Sequence, residues 1–291
     1  MNDKIRLGDR YVTRLGYGAM RLPGEGVWGE PSDPERARAV LRRAIELGVE
    51  VIDTYWCYGP HVASRLIAEA LHPYPEQLVI STKLGGRRTP DKGWVPFARP
   101  EELRDAIEHD LRDLRQDVLD IVHFRFMEHS GVPFLESLDG MIALQREGKL
   151  RHIALSGVGV TQLTQALART PIVAVQNMFN IAGGGGAFAQ RTHSAVDDPE
   201  GVLALCEQRG IAFLPYFPLA SGSLAKRQPT LDAVAKKYAA TPAQIALAWL
   251  LARSPVVLPI PGTSSLEHLE ENWRARTFHL TQEEVAEIAR G

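Results

Sequence analysis

Short runs rich in β-branched residues alternate with longer amphipathic stretches from one end of the chain to the other. The short runs are typical of strands, and the amphipathic stretches are typical of helices that cover a sheet. A strand and a helix in regular alternation favour a parallel sheet with its helices outside. The strand candidates are residues 14–18, 49–54, 77–83, 119–125, 150–156, 171–176, 211–216 and 256–260.

The number of these units distinguishes a closed sheet from an open one. Eight strands, each paired with a helix, are what a (β/α)8 barrel needs. An open, doubly wound sheet that binds a dinucleotide carries a GxGxxG turn after its first strand, and no such turn follows residues 14–18. We therefore predict an α/β chain of the (β/α)8 TIM-barrel class, with residues 1–291 forming a single domain.

Two helix boundaries are marked in the sequence. The amphipathic stretch 34–48 ends at Gly48, a common residue just past the last turn of a helix. Residues 241–254 form an additional predicted helix before the eighth strand, with Thr241 as its N-cap and Pro242 as its first residue.

Composition excludes several classes of partner. The formal net charge of −2 gives no electrostatic reason to bind nucleic acid or a membrane surface. No apolar run approaches the length of a membrane span, and residues 1–10 are charged and lack the apolar centre of a signal peptide. Cys57 and Cys206 are too few for a disulfide framework. We expect a cytoplasmic protein that acts on a small molecule, and the sequence leaves its oligomeric state open.

Polar residues stand at the ends of neighbouring predicted strands. The second strand ends near Asp53, with Tyr58 in the following loop, and the third ends in Lys83. The fourth ends in Arg125, with His123 two residues earlier on the same face. Because a barrel brings the carboxyl ends of its strands to one rim, we expect these side chains to meet there.

This combination is suited to proton transfer. A free tyrosine has a pKa of about 10, too high for efficient proton exchange at neutral pH. The ammonium of Lys83 should lower the pKa of Tyr58, and the carboxylate of Asp53 should keep the lysine charged. Taken singly, each residue has an ordinary explanation as a loop cap, a surface charge or a rim aromatic. Taken together, they predict a general acid.

The segments around these residues resemble the aldo-keto reductases. DTYWCYG at 53–59 resembles the family's DTAxxYG signature, and STKLG at 81–85 resembles its lysine strand. Further segments match in the family's order: residues 15–22, 154–158, 175–180, 215–224 and 260–273. The resemblance implies a (β/α)8 barrel, binding of NADP(H), and hydride transfer to an aldehyde or ketone. It also implies that Asp53, Tyr58 and Lys83 are catalytic.

The end of the fourth strand departs from the family's pattern. The family usually has a histidine there that hydrogen-bonds the substrate carbonyl. This chain has Arg125 at that position, and His123 lies two residues earlier, one layer of side chains deeper in the barrel. An arginine offers several donors and a permanent charge, so it can orient a carbonyl or an anion but cannot act as an acid. We expect Tyr58 to be the sole proton donor. The alternative is that His123 is a core residue and Arg125 an ion-pair partner of Asp53.

The resemblance also implies a cofactor-binding set. Its members are Gly18, Met20, Asp53, Ser156, Gln176, Tyr216, Leu219, Ser221, Gly222, Gly262, Ser264, His268, Glu271 and Asn272. Ser156 and Gln176 supply the donor and the acceptor that a nicotinamide carboxamide needs. The resemblance implies that Tyr216 stacks on the nicotinamide and that Glu271 and Asn272 contact the adenine. The small residues after the last two strands suit phosphate binding.

The subsite for the 2′-phosphate of NADP(H) is less typical. Many family members have a lysine and an arginine where this chain has Gly262 and His268. Ser264, the start of the next helix and a protonated His268 could bind the phosphate. We therefore favour NADPH as the cofactor, with NADH as the alternative.

Three tryptophans, Trp28, Trp56 and Trp94, fall in or beside loops at the predicted catalytic rim. They predict an aromatic-walled pocket for a small planar carbonyl, although each could equally anchor a loop. YGPH at 58–61 together with Arg125 resembles a bacterial subgroup that includes pyridoxal-type reductases. A pyridoxal-like aldehyde is therefore the first substrate expectation.

Two other functions stay open at this point. Some relatives are cofactor-sensing regulatory proteins with slow chemistry; the intact Asp53, Tyr58 and Lys83 argue against this, while Arg125 leaves it possible. A barrel can also be a lyase or isomerase that uses a metal or a lysine Schiff base. No residues have metal-ligand spacing, and a lysine paired with an aspartate is a poor amine nucleophile.

Overall fold

The computed structural model describes residues 3–127, 129–182, 198–220 and 229–290. The strands are β1 (Lys4–Leu7), β2 (Arg10–Thr13), β3 (Tyr17–Gly18), β4 (Val51–Asp53), β5 (Val79–Arg88), β6 (Trp94–Phe97), β7 (Leu119–Arg125), β8 (Leu150–Ser156), β9 (Ala174–Gln176) and β10 (Ala212–Phe213). The α-helices of these ranges are α1 (Pro34–Leu47), α2 (Val62–Leu71), α3 (Pro100–Asp113), α4 (Phe134–Arg146), α5 (Val160–Leu167), α6 (Pro199–Arg209), α7 (Pro229–Lys237), α8 (Pro242–Arg253), α9 (Leu266–Arg274) and α10 (Gln282–Arg290).

The parallel strands follow chain order around the sheet, β3–β4–β5–β7–β8–β9–β10. The eighth predicted strand closes it: the Leu258 N–H donates to the Phe213 carbonyl (2.8 Å), and the Gly16 N–H donates to the Pro259 carbonyl (2.9 Å). Prolines at 255, 259 and 261 have no N–H to donate, so this segment joins both neighbours without becoming a regular strand. The predicted (β/α)8 fold is confirmed.

Strand β5 extends beyond the predicted end at Lys83. It continues to Arg88 and pairs antiparallel with β6, with Gly85 opposite Phe97 and Arg88 opposite Trp94. This hairpin was not predicted, because its glycines, charges and proline are typical of a loop. It brings Trp94 beside the carboxyl ends of β5 and β7.

The predicted helix boundaries are confirmed. Gly48 follows α1 with φ 96°, a left-handed conformation that suits glycine. Thr241 caps α8: its side chain accepts from the Gln244 N–H (3.2 Å), and the Gln244 side chain accepts from the Thr241 N–H (3.0 Å).

The described helices include none that is long and apolar enough to cross a membrane. Cys57 and Cys206 are both buried free thiols.

A buried carboxyl joins two helices to the strand that carries Lys83. Asp110 on α3 is fully buried; its carboxylate accepts from the Ser64 hydroxyl of α2 (3.0 Å) and from the Thr82 hydroxyl of β5 (2.5 Å). Burial raises the pKa of Asp110 to about 7, although both hydroxyl groups act in the opposite direction. This carboxyl therefore titrates near neutral pH inside the folded protein.

We expect the substitution Thr241→Ala to lower the free energy of unfolding by about 1 kcal/mol, because the Gln244 N–H loses its acceptor. Urea denaturation monitored by circular dichroism measures the change. Thr241→Ser keeps the hydroxyl and should unfold within a few tenths of a kcal/mol of the parent. An equal loss in both variants would contradict the role of the cap.

We expect the substitution Asp110→Asn to flatten the pH dependence of stability. The folded pKa of Asp110 lies above its unfolded value, so the folded state binds more protons between the two values. The stabilisation is complete below the unfolded pKa and is lost as the pH rises through about 7. Each pKa unit corresponds to about 1.4 kcal/mol.

Urea denaturation at about pH 5 and about pH 8 tests this linkage. The parent should lose stability over this interval by more than Asp110→Asn does. Asp117→Asn, an exposed change near the end of α3, should behave like the parent. Identical pH slopes in all three proteins would contradict a titrating Asp110.

Candidate active site

A cavity of about 500 Å³ opens at the carboxyl ends of the barrel strands. All four predicted catalytic residues line it: Asp53, Tyr58, Lys83 and Arg125. The predicted cofactor-binding residues of the described ranges line it too: Gly18, Met20, Asp53, Ser156, Gln176, Tyr216, Leu219, Gly262, Ser264, His268, Glu271 and Asn272. Ser221 and Gly222 lie outside the described residues. The sequence-derived set therefore converges on one cavity.

A buried ion pair forms the floor of this cavity. The Lys83 ammonium donates to both carboxylate oxygens of Asp53 (2.8 and 2.7 Å) and to the Thr54 carbonyl (2.8 Å). The Gln176 side-chain amide also donates to Asp53 (2.7 Å). Both charged side chains are only 4% exposed. Burial lowers the pKa of Lys83, and Asp53 opposes that shift.

Tyr58 lies against this pair. The Lys83 ammonium is 5.4 Å from the centre of the Tyr58 ring. Burial raises the pKa of Tyr58 well above its usual value, the Asp53 charge raises it further, and the Arg125 charge lowers it. The prediction of a lowered tyrosine pKa is therefore wrong, because burial outweighs the nearby positive charge. The phenol keeps its proton at neutral pH, as a general acid requires.

His123 is a core residue. It sits opposite Lys83 in the sheet register and is fully buried. Its Nδ1 is 3.1 Å from the Leu155 carbonyl, which can only accept, so Nδ1 carries the proton; Nε2 then accepts from the Ser81 hydroxyl (3.0 Å). Burial and the Lys83 charge lower the pKa of His123 to about 4. The imidazole is therefore neutral and fully hydrogen-bonded beneath the site.

Arg125 ends β7 and lines the cavity. Its guanidinium carbon is 5.3 Å from the centre of the Trp94 ring. Gly85, at φ 110°, allows β5 to approach here, because a side chain at that position would overlap the Arg125 carbonyl. Both oxygens of the Asp53 carboxylate accept from Lys83, and an ion pair between Arg125 and Asp53 stays a hypothesis.

Only one of the three predicted wall tryptophans lines the cavity. That residue is Trp94, which stacks on Tyr55 with ring centres 5.9 Å apart. Trp28 instead packs on the Arg88 guanidinium (5.1 Å), and Trp56 stacks on His109 (5.4 Å). The prediction is therefore wrong for Trp28 and Trp56, whose loops turn their rings to other partners.

The opposite end of the cavity is formed around the start of α9. The Ser265 side chain caps α9 by accepting from the His268 N–H (3.4 Å). The Thr241 hydroxyl donates to Glu271, so α8 and α9 are linked there. Gly262 is required by packing, because a Cβ at this position would lie 2.6 Å from the Gly18 carbonyl.

Sequence reasoning missed several lining residues. They are Arg21, Gly157, Phe217, Pro218, Ala243, Ile260, Pro261 and Thr263. Arg21 is the charged member of this set, and its Cγ lies 3.7 Å from the point where a Cβ of Gly262 would stand. Arg21 lies within the segment 15–22 that resembles the family, and that match was the available signal. Its side chain brings positive charge to the end of the cavity near the start of α9.

Across the described ranges, no group of three or more His, Cys, Asp or Glu residues is arranged to hold a metal ion.

Known proteins similar to this chain carry the same fold. Pyridoxine 4-dehydrogenase of Escherichia coli is 45% identical over 292 residues, which covers 99% of this chain and 97% of that protein. A thermostable aldo-keto reductase crystallised with the inhibitor epalrestat superposes with a TM-score of 0.80 at 29% identity, covering 99% of this chain and 98% of that one. An aldo/keto reductase from Klebsiella pneumoniae in complex with NADP and acetate gives a TM-score of 0.79 at 26% identity, covering 100% and 95%.

The family model described as the aldo/keto reductase family matches residues 14–290. This match spans nearly the whole chain and includes every residue assigned to the cavity. The chain therefore belongs to the aldo/keto reductase family.

Proposed function

We propose that this protein is an NADP(H)-dependent oxidoreductase that reduces a small aldehyde or ketone to an alcohol, with Tyr58 as the general acid. The observation that carries the proposal is the buried Asp53–Lys83 pair beside the protonated Tyr58 phenol at the cavity wall. A buried, oriented donor next to a compensated positive charge is suited to protonating an oxygen as negative charge develops on it.

The residues around the cavity fit a nicotinamide dinucleotide. When bound, the reduced nicotinamide supplies a hydride to the carbonyl carbon. The Gln176 side-chain N–H donates to Asp53 (2.7 Å). The Gln176 side-chain oxygen is then left to accept a hydrogen bond from the carboxamide of the nicotinamide. The Ser156 hydroxyl and the Tyr216 ring also line the cavity. The hydroxyl would bind the carboxamide of the nicotinamide, and the Tyr216 ring would stack on the nicotinamide ring.

The far end of the cavity suits a phosphate. Ser264 and His268 line it at the start of α9, where the helix N-terminus favours negative charge. Arg21 adds a cation beside Gly262, where many family members have a lysine. This charge supports NADPH over NADH. The Klebsiella pneumoniae relative was crystallised with NADP.

The proton moves from Tyr58 to the substrate oxygen. As the carbonyl π bond opens, its electrons collect on the oxygen, and the Tyr58 O–H donates to that oxygen. The Lys83 ammonium and the Arg125 guanidinium stabilise the phenolate that is left. Asp53 keeps Lys83 charged, and Arg125 orients the carbonyl with its N–H groups. Positioned proton transfer of this kind contributes roughly 10²–10⁴-fold to rate.

We take a pyridoxal-like aldehyde as the substrate class. The support is the 45% identity to pyridoxine 4-dehydrogenase, together with the aromatic and cationic side chains of Trp94 and Arg125 at the substrate end of the cavity. A small planar aldehyde matches these groups in size and polarity.

The thiols support the cytoplasmic location predicted from the sequence. Cys57 and Cys206 are free and buried, as is common in proteins of reducing compartments.

We expect Tyr58→Phe to reduce kcat with pyridoxal and NADPH by at least about 100-fold, because the variant lacks the acidic hydroxyl. Absorbance of the reduced nicotinamide measures turnover. Tyr55→Phe is the matched control: it removes a buried phenol hydroxyl 2.9 Å from the Gly86 carbonyl that does not line the cavity, and it should retain most activity. Parent-level turnover by Tyr58→Phe would contradict the proton-donor role. The absence of turnover with every carbonyl tried would overturn the enzyme proposal.

We expect NADPH to bind more tightly than NADH, and Arg21→Ala to narrow the difference by roughly tenfold, since a charged hydrogen bond to phosphate is lost. Quenching of tryptophan fluorescence gives both dissociation constants. Arg36→Ala, at an exposed arginine of α1, is the control and should leave the ratio unchanged. Tighter binding of NADH by the parent would overturn the cofactor assignment.

A further inference from the structure

Arg88 is a buried cation outside the cavity, and the steps described so far do not use it. It ends β5 and is only 9% exposed. Its guanidinium donates to four backbone carbonyls, those of Val27 (2.9 Å), Lys92 (2.9 Å), Gly93 (3.3 Å) and Gly26 (3.5 Å). A buried charge is costly unless its donors are hydrogen-bonded, and these carbonyls meet that need. The arginine therefore joins the β5–β6 hairpin to the loop that contains Val27.

Two tryptophan rings pack on the same guanidinium. Its carbon lies 5.1 Å from the centre of the Trp28 ring and 4.5 Å from the centre of the Trp94 ring, both within the range of a cation–π interaction. A planar guanidinium can stack on aromatic faces while its edge donates hydrogen bonds. Trp94 lines the cavity, whereas Trp28 and Arg88 do not. Arg88 therefore connects the wall of the cavity to a loop outside it.

The loop that Arg88 holds is paired with the residue after Tyr58. The Val27 carbonyl accepts from the Gly59 N–H (3.2 Å) as well as from Arg88. The Gly59 carbonyl in turn accepts from the Gly29 N–H (2.9 Å). A single carbonyl oxygen thus joins the Arg88 guanidinium to the backbone that carries Tyr58.

The conformation of this loop depends on such contacts. Val27 has φ 59°, in the left-handed region. That region is unfavourable for a β-branched residue, and it persists only where the surroundings impose it. The bonds from Arg88 and from the Gly59 N–H to the Val27 carbonyl are two contacts that impose it. Removal of the guanidinium should therefore release Val27 and loosen the pairing of its loop with Gly59.

Trp94 is the second group that Arg88 holds. The Trp94 ring stacks on Tyr55, with ring centres 5.9 Å apart, and packs on the Arg125 guanidinium at 5.3 Å. Arg88, at 4.5 Å, is the closer of the two arginines to this ring. A shift of Trp94 would change both the wall that an aldehyde meets and the surface on which Arg125 packs.

We propose that Arg88 is a positioning residue for the proposed reaction, which holds both Trp94 at the cavity wall and the backbone beside Tyr58. The inference rests on the proposed function and adds to it a residue that does not line the cavity. The chemistry is unchanged: hydride adds to the carbonyl carbon, the Tyr58 proton goes to the carbonyl oxygen, and Arg88 exchanges no proton.

The substitution Arg88→Met tests the inference, because methionine keeps an unbranched apolar stem and lacks the charge and the planar donors. We would measure kcat and KM with NADPH and whichever of pyridoxal and benzaldehyde the parent reduces faster. KM for the aldehyde should rise and kcat should fall, lowering kcat/KM by roughly 10- to 100-fold, as expected when reacting groups are displaced by up to about 1 Å.

Two readouts separate positioning from lost stability. A partly unfolded preparation has fewer active molecules, which lowers kcat and leaves KM unchanged, so the rise in KM reports a displaced cavity wall. The dissociation constant of NADPH, measured by isothermal titration calorimetry, should stay close to that of the parent. Arg88 contacts the hairpin and the loop of Val27, whereas the phosphate of the cofactor is assigned to the start of α9.

Arg87, the preceding residue of β5, is the matched control. It is exposed, packs on the Phe97 ring at 5.6 Å and does not line the cavity. Arg87→Met should keep the kcat and KM of the parent. An equal rise of KM in Arg87→Met and Arg88→Met would overturn the inference, since the loss of any charge from the hairpin would then explain both.

Arg88→Lys provides a second variant that keeps the charge. An ammonium lacks the planar group that stacks on two rings, so KM should rise in the same direction but by less than in Arg88→Met. This variant decides the question if Arg88→Met does not fold. Parent values of kcat and KM in Arg88→Lys would overturn the inference.

A double-mutant cycle with Trp94→Leu tests the route through the cavity wall. Residues that act through one another give non-additive effects. Arg88→Met should therefore raise KM by a smaller factor in a chain that already lacks the Trp94 ring. The same factor in both backgrounds would contradict the inference.

The outcomes distinguish this inference from the proposed function. A parent that reduces the aldehyde, with unchanged kcat and KM in Arg88→Met, would overturn the inference and leave the proposed function intact. A loss of NADPH affinity as large as the rise in aldehyde KM would also overturn it, because the whole cavity would then be disturbed. Failure of the parent to reduce either aldehyde would overturn the proposed function and this inference with it.

Discussion

The buried ion pair between Asp53 and Lys83 is the interaction on which the rest of the site depends. Two charges in a protein interior are destabilising unless their hydrogen bonds are satisfied. Here the ammonium uses its donors on both Asp53 oxygens and on the Thr54 carbonyl, and the Gln176 amide adds a further bond to the carboxylate. The groups come from β4 and the residue after it, from β5 and from β9, so the pair ties these three strands together.

The same pair governs the protonation of its neighbours. His123 stays neutral beneath it, since burial and the Lys83 charge lower the pKa of the imidazole to about 4. Tyr58 stays protonated beside it, because the free-energy cost of burying a phenolate exceeds the stabilisation that the Arg125 charge would give it. Proton donation from Tyr58 thus depends on charge that develops on the substrate oxygen, rather than on a phenol that is acidic beforehand.

The resemblance to the aldo-keto reductases supplied the cofactor-binding residues of the cavity. Periodicity and strand-end polarity predicted the fold and the meeting of the four catalytic residues. They sufficed because a barrel brings the last residues of all its strands together, whatever the intervening helices contain. They failed where the outcome depended on packing. The β5–β6 hairpin has loop-like residues, so the sequence did not reveal that Trp94 lines the cavity while Trp28 and Trp56 pack elsewhere. Burial around Tyr58 is likewise absent from a linear sequence, and this reversed its expected pKa shift.

Arg125 stands where the family usually has a histidine, and under the proposed function it orients the carbonyl without donating a proton. With a neutral imidazole at the strand end, Asp53, Tyr58 and Lys83 would present a nearly uncharged surface to the substrate, because the ion pair cancels. A guanidinium at that position adds a permanent charge without adding an acid, since arginine does not release its proton near neutral pH. The proton must still come from Tyr58. Under the proposed function, proton transfer is therefore assigned to Tyr58 and orientation of the carbonyl to Arg125, whose guanidinium packs on Trp94.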